Sequence, residues 1–204
     1  MSRYSCSGII LAGGLNRRMN GQNKALLSVG TRSIISRQID LFQKMFEQVI
    51  VVSNHPLDFA SWEITVVSDL YSLRSSLTGI HAGLFYSRWP QAFVSACDMP
   101  FLKKEMIDII LRDLDPNLEI IVPKTVEGYQ PLCAVYSRRC LPWIEKQLKS
   151  GLLKISGLFP KMKVKTIPEN VLRSLDPDLI SFFNINTQED LNRSQTLFSN
   201  LEAS

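Results

Sequence analysis

Gly8-Ile9-Ile10-Leu11-Ala12-Gly13-Gly14-Leu15-Asn16-Arg17-Arg18-Met19-Asn20-Gly21-Gln22-Asn23-Lys24 is the stretch from which the rest of the chain can be read. Its first five residues are dominated by a continuous apolar run rather than an alternation, the pattern of a strand buried on both faces. Gly13-Gly14 then ends the strand and opens a loop. Two glycines let a backbone approach a ligand closely and turn its N–H groups toward it. Arg17, Arg18 and Lys24 bring cations to the same loop. Together these features make an anion cradle suited to a triphosphate; the competing reading is an ordinary glycine turn with solvated arginines. The loop is not a Walker P-loop, because no Gly-Lys-Ser/Thr follows the glycines, and GxGxxG is absent as well.

Downstream, the apolar period changes and then alternates. Ile35, Ile39, Phe42 and Phe46 recur as one helical stripe after Ser33. Val49 to Val52 reads as a second buried strand, closed by Asn54-His55-Pro56. A short strand at Ile64 to Val67, a helix at Leu77 to Tyr86 and a buried strand at Phe93 to Ala96 follow, the last ending in Cys97-Asp98-Met99-Pro100. The pattern then predicts a helix over Lys103 to Leu114, strands at Ile120 to Val122 and Leu132 to Tyr136, and a helix over Leu141 to Lys149. Near the end, Phe182 to Ile185 reads as a strand running into a helix capped by Thr187, with Glu189 and Asp190 in its first turn. Buried strands separated by helices imply one Rossmann-like α/β domain, a mostly parallel sheet covered on both faces. Ligands of such sheets sit beyond the carboxyl ends of the strands. The exits to inspect are Gly13-Gly14, Ser53-Asn54, Ser68-Asp69, Cys97-Asp98 and Asn184 to Asn186, all polar or glycine-rich.

Composition narrows the function. A chain of 204 residues and 23.1 kDa is one ordinary domain. It buries roughly 70% of its unfolded surface and needs no disulfide or metal staple. Apolar content of 45% with 21% charged residues excludes a disordered or collagen-like chain. No stretch reaches the ~18 uninterrupted apolar residues of a membrane helix. Met1 to Ser7 lacks the apolar core of a signal peptide, so a cytoplasmic location away from membranes is expected. Cys6, Cys97, Cys133 and Cys140 form no CxxC pair, and His55 and His81 lie far apart, which gives no zinc-ligand spacing. These cysteines read as small, partly buried apolar residues in a reducing compartment. A net charge of +4 is too modest to imply nucleic acid but suits a small phosphorylated ligand. Lys149, Lys154, Lys161, Lys163 and Lys165 form a basic stretch, either a docking surface for an anionic cofactor or partner protein or simply a solvated face.

Asp98 adds a carboxylate at the working edge of the sheet. Magnesium bound to phosphates needs only one or two protein carboxylates; the plain alternative is a capping aspartate before Pro100. Beside the cationic glycine loop, the metal-ligand reading is the stronger.

These residues resemble the molybdenum cofactor guanylyltransferase family of the nucleotidyltransferase superfamily. The resemblance runs through Leu11-Ala12-Gly13-Gly14, Arg18-Met19 and Lys24-Ala25-Leu26-Leu27, then Leu77-Thr78-Gly79-Ile80 and Cys97-Asp98-Met99-Pro100. It continues in Gln130-Pro131-Leu132-Cys133-Ala134-Val135-Tyr136 and Asn184-Ile185-Asn186-Thr187. The glycine loop is shared by many nucleotidyltransferases, whereas the Gln-Pro-Leu block and the Asn-x-Asn-Thr block are far more specific. The resemblance implies a single nucleotidyltransferase domain over 1–204, with 1–100 mainly holding GTP and metal and 101–204 mainly facing molybdopterin. It implies transfer of GMP from GTP to molybdopterin with magnesium, and molybdoenzyme maturation proteins as partners. By similarity Leu11, Ala12, Gly13, Gly14, Lys24, Asn54, Asp69, Gly79 and Asp98 contact GTP, and Asp98 also holds the metal. Arg18, Lys24 and Asp98 would be the catalytic groups. Asn184 and Asn186, alternating on the predicted last strand, would offer two amides to the pterin.

The chain departs from the family at Asn20 (usually glycine), Asn23 (often aspartate) and Ser75-Ser76 (usually Gly-Pro). If Ser75 and Ser76 line the base pocket, their hydroxyls alter the choice between guanine and cytosine. Two other readings remain: transfer of CMP to molybdopterin or of a nucleotide to a sugar or alditol phosphate, and a nucleotide-binding protein without catalysis. Retention of both Lys24 and Asp98 argues against the last.

Overall fold

The computed structural model describes residues 3–13 and 24–202. In chain order these form β1 (Tyr4–Leu11), a small hairpin of β2 (Ser28–Val29) and β3 (Arg32–Ser33), α1 (Ile34–Met45), β4 (Phe46–Val52), β5 (Thr65–Val67) and α2 (Ser76–Tyr86). Then come β6 (Gln91–Ala96), α3 (Lys104–Leu111), β7 (Ile120–Thr125), β8 (Gly128–Tyr129), β9 (Cys133–Ser137) and α4 (Leu141–Lys149). The chain ends in β10 (Val164–Pro168), α5 (Glu169–Arg173) and α6 (Gln188–Glu202).

The main sheet runs β10-β7-β9-β6-β1-β4-β5, with β8 paired to β7. β9 is antiparallel to both its neighbours, β8 is antiparallel to β7, and every other pair is parallel. The expected mostly parallel α/β sheet is therefore present. β9 reverses because the tight turn at Val126-Glu127 folds the chain back on β7, with β8 and β9 as successive parts of the returning arm, whereas a parallel partner would need a long crossover.

Period-two alternation along β1 feeds two cores. Cys6, Ile10 and Ala12 pack under α1 and α3, while Ile9 and Leu11 pack under α2 and α4. Phe42, Phe46 and Phe93 are fully buried on the first face, each contributing about 1.5–3 kcal/mol through removal of apolar area from water. On the second face α2 presses closely on β1. A Cβ on Gly83 would stand 2.6 Å from Ile9 Cγ2, and one on Gly79 would stand 3.1 Å from Leu11 Cδ2. Glycine at both positions permits that approach.

Some sequence expectations need correction. Phe46 belongs to β4 rather than to the helical stripe: its N–H still bonds Phe42 O, but α1 passes into β4 without a loop. The helix expected to reach Leu114 stops at Leu111 and closes in a turn, with Leu114 N donating to Leu111 O. The strand expected at Phe182 to Ile185 does not form. Ile180–Phe182 is a 3-10 turn preceded by Leu179 with φ 53°, and Phe183 N bonds Ile180 O. Its apolar residues pack without strand pairing instead, Ile185 in a small cluster with Val29, Ile34 and Phe101, and Phe183 against Phe101 of that cluster. The expected helix after Thr187 is present, and Thr187 Oγ1 accepts from Asp190 N.

The four cysteines are free, with Cys6, Cys133 and Cys140 buried. Burial pushes the thiols of Cys6 and Cys140 up to about 12, in keeping with the reading of small apolar residues. Of the basic stretch, Lys165 lies on the edge strand β10 and pairs with Asp113 at 3.1 Å. No helix among the described residues is long and apolar enough to cross a membrane.

Candidate active site

The chain leaves β1 through α1 toward β4 and leaves β6 through α3 toward β7, so the two connections run toward opposite edges of the sheet. The crevice of such a sheet opens where the connections diverge, at the carboxyl ends of β1 and β6. Leu11 and Ala12 are buried at the end of β1, and Gly13 beyond them is exposed. Leu11 O accepts from Cys97 N at 3.0 Å, and Ala12 N donates to Val52 O at 2.9 Å. The exits of β1, β4 and β6 are thus bonded to one another. Gly14, Arg17 and Arg18 lie outside the described residues, as do Asn20 and Asn23.

Lys24 re-enters the described chain at the start of a short 3-10 turn. Its Nζ donates to Ile185 O and to Asn186 Oδ1, both at 3.1 Å. Ile185 N in turn donates to Asp98 O at 3.0 Å. One residue of the C-terminal segment therefore offers its two backbone groups to the lysine and to the aspartate. Asp98 Oδ1 is shielded from solvent and has no hydrogen-bond partner among the described residues. Burial raises the Asp98 carboxyl above its ordinary value, and the nearby Lys24 ammonium pulls it back. A shielded, unpartnered carboxylate oxygen is costly unless something cationic meets it.

Asn54 and Asp69 stand at the exits of β4 and β5. They pair reciprocally, Asn54 Nδ2 donating to Asp69 Oδ2 at 2.9 Å and Asp69 N donating to Asn54 Oδ1 at 3.1 Å. Burial raises the Asp69 carboxyl, against hydrogen bonds from Asn54 and Thr78 and the charge of Arg74. Ser75 and Ser76 start α2. The Ser75 hydroxyl accepts from Thr78 N at 3.2 Å, while Thr78 Oγ1 accepts from Ser75 N at 3.3 Å, a reciprocal capping box. Gly-Pro at the same two places would also start a helix, glycine as cap and proline in the first turn. The departure at Ser75-Ser76 therefore exchanges one helix start for another.

Gly79 is buried against Leu11, and its observed part is to bring α2 down on β1. Asn184 and Asn186 do not share a strand face. Asn184 Nδ2 turns back to Phe182 O at 3.1 Å, whereas Asn186 reaches Lys24.

Gln38 was not singled out from the sequence. It is buried on α1, and its Nε2 donates to Ala96 O at 2.9 Å and Met99 O at 3.1 Å, on either side of Cys97-Asp98. The available signal was a polar residue one helical turn from both Ile34 and Phe42 on the apolar side of α1.

The sequence matches the MobA-like NTP transferase domain family over residues 8–160. It is 45% identical over 189 residues to the molybdenum cofactor guanylyltransferase of Desulfosudis oleivorans, covering 93% of this chain and 94% of that protein. It is 35% identical over 194 residues to a probable molybdenum cofactor guanylyltransferase of Pelotomaculum thermopropionicum, covering 95% and 94%. The crystal structure of molybdopterin-guanine dinucleotide biosynthesis protein A from Archaeoglobus fulgidus superposes with a TM-score of 0.85 at 28% identity, covering 95% of this chain and 99% of that one.

Proposed function

This chain belongs to the molybdenum cofactor guanylyltransferase family, and from that premise we propose that it transfers GMP from GTP to the terminal phosphate of molybdopterin, releasing pyrophosphate. The observation that carries the reading is Ile185, whose N–H meets Asp98 and whose carbonyl meets Lys24 at the crevice between β1 and β6.

The second pKa of a phosphate monoester is about 6, so the attacking group is largely dianionic at pH 7 without a general base. It forms a bond to the α-phosphorus of GTP as the bond to the β-phosphate oxygen breaks and the electron pair leaves with pyrophosphate. The protein's work is alignment and charge neutralisation. Lys24 and Arg18 oppose the charge that grows on the leaving pyrophosphate, Lys24 being held in place by Ile185 O and Asn186 Oδ1. The backbone of Leu11, Ala12 and Gly13 borders the phosphates, and the Asn54–Asp69 pair borders the nucleoside.

Family membership implies metal-assisted catalysis, and we place magnesium at Asp98. The residue fits: Oδ1 is a hard oxygen donor, shielded and unpartnered, and magnesium takes one or two carboxylates with substrate phosphates. When bound, the ion neutralises charge on the triphosphate oxygens. For the second substrate, a cavity of about 530 Å³ lies beyond β7, its walls including Thr125, Gln130, Phe183 and Arg193. Gln130 opens the Gln-Pro-Leu block, and Arg193 stacks over Phe183 with its guanidinium carbon 5.6 Å from the ring centre. A flat heterocycle suits such a wall. Asn184 stays with the molybdopterin side, while Asn186 joins the phosphate side through Lys24.

The test is pyrophosphate release from GTP and from CTP, with and without purified molybdopterin. The expected result is release that requires molybdopterin and magnesium and is at least tenfold faster with GTP. Equal or faster release with CTP would overturn the guanylyl assignment, and release driven instead by a sugar or alditol phosphate would overturn the acceptor.

A further inference from the structure

We propose that Gln38 is a positioning residue that sets the Cys97-Asp98 turn for metal binding, an inference that rests on reading Asp98 as the metal ligand. The turn is held from three directions. Cys97 N is bonded by Leu11 O of β1, and Asp98 O is bonded by Ile185 N of the C-terminal segment. Gln38 reaches from α1 and bonds the carbonyls of Ala96 and Met99 together, 2.9 and 3.1 Å from one amide nitrogen. Only an N–H₂ group can face two carbonyl oxygens, so the amide orientation is fixed by its partners. The side chain is 2% exposed, and its Oε1 is shielded without a partner among the described residues. An apolar residue would avoid that unsatisfied oxygen, which costs about 1–3 kcal/mol. A shielded amide in this position is understandable if its two donors are what the site requires. They span the aspartate, so the backbone bearing the carboxylate cannot rotate without breaking both bonds. Preorganising a ligand in this way preserves metal affinity that would otherwise go into ordering the turn.

Two variants test this. Gln38→Met keeps volume and shape but removes both donors; Gln38→His keeps one donor at similar reach. Mn²⁺ binding in the presence of GTP is measured by electron paramagnetic resonance, alongside thermal unfolding and pyrophosphate release over a range of Mg²⁺ concentrations. The expected result is an Mn²⁺ dissociation constant raised about tenfold in Gln38→Met and less in Gln38→His. kcat falls at limiting Mg²⁺ and recovers as Mg²⁺ is raised, while KM for GTP at saturating Mg²⁺ stays unchanged. Should Gln38→Met fail to fold, the Gln38→His comparison with wild type carries the same expectation. Wild-type Mn²⁺ affinity in a folded Gln38→Met, or in Gln38→His if it is the only folded variant, would overturn the proposal and leave Gln38 a space-filling residue. Asp98→Asn serves as the control. If it binds Mn²⁺ as wild type does, the metal assignment itself has failed, and the role of Gln38 falls with it.

Discussion

Ionising Asp98 costs the fold free energy, because burial raises its carboxyl and Lys24 offsets only part of that rise. A carboxyl raised in the folded state adds stability that is full below its unfolded value of about 3.9 and is lost as pH rises through the folded value. At neutral pH, without metal, the aspartate is therefore a burden that an amide would remove. Asp98→Asn should keep or raise Tm at pH 7, with the difference shrinking toward pH 4, and lose on the order of 10³-fold in turnover. A Tm several degrees below wild type at pH 7, or near-wild-type turnover at saturating magnesium, would contradict this. Asn186→Ala removes one of the bonds that hold Lys24 to the C-terminal segment and keeps the one to Ile185 O. GTP affinity should fall about three- to tenfold, the equivalent of an ordinary hydrogen bond of about 0.5–1.5 kcal/mol because this one is exposed to solvent, while KM for molybdopterin holds steady; titration calorimetry and initial rates read the two effects. Lys24 and Asp98 were legible because a cation after Gly-Gly and a carboxylate at a strand exit stand out in any α/β sequence. The place of Asn186 was not, because a strand was inferred from Phe182 to Ile185 and the face of an amide depends entirely on that inference. Gln38 bonds backbone carbonyls, whose placement leaves no mark on the sequence, so its polarity on the apolar side of α1 was the one signal it offered.

At the scale of elements, close approach competes with helix propensity in α2. Gly83→Ala gains about 1 kcal/mol of helix propensity, but its Cβ would stand 2.6 Å from Ile9 Cγ2. Overpacking of that kind costs about 1–3 kcal/mol, so urea denaturation should show a net loss of up to about 2 kcal/mol. A gain in stability would mean that α2 can lift from β1. The loop after α5 is tied to the start of α3 by Asp176, which accepts from Lys103 Nζ at 2.7 Å and Ser181 N at 2.8 Å. Burial works to raise this carboxyl, but the bonds from Lys103 and Ser181 outweigh it and hold it below the usual range. The stability it contributes is present above the unfolded value of about 3.9 and is lost as pH falls through the lowered one. The Tm gap between wild type and Asp176→Asn should be constant from pH 5 to 8 and close below about pH 4; a gap unchanged at pH 3 would refute the assignment. Most elements were legible because the apolar period separates buried strands from amphipathic helices. The exceptions have local causes: β10 is only five residues long, carries an exposed lysine and threonine in its middle and ends in proline, as edge strands do. Phe182 to Ile185 mimics a strand because its apolar side chains are drawn to two different clusters, Phe182 to the large core and Phe183 and Ile185 to the small cluster around Phe101.

For the whole molecule, the crevice is joined by residues from both ends of the chain. The glycine exit, Lys24, Asn54, Asp69 and Asp98 come from the first half, but Ile185 and Asn186 of the second half accept from the lysine, and Ile185 also donates to Asp98 O. The small cluster of Val29, Ile34, Phe101 and Ile185, with Leu197 and Phe198 of α6 against it, holds that late segment on the early hairpin. Gln195 of α6 reinforces it by accepting from Gly30 N at 2.9 Å and donating to Ser28 O at 2.8 Å. This closure has a consequence in time. A ribosome adds about 5–20 residues each second and early regions begin folding first, so the β1–β4–β5–β6 platform has its sequence complete well before residue 185 is made. Until that segment arrives, the lysine and the aspartate turn lack the partners that join them. A nascent chain thus gains the bridge between Lys24 and the Asp98 turn last, and a message truncated before residue 185 encodes both groups without the residues that join them.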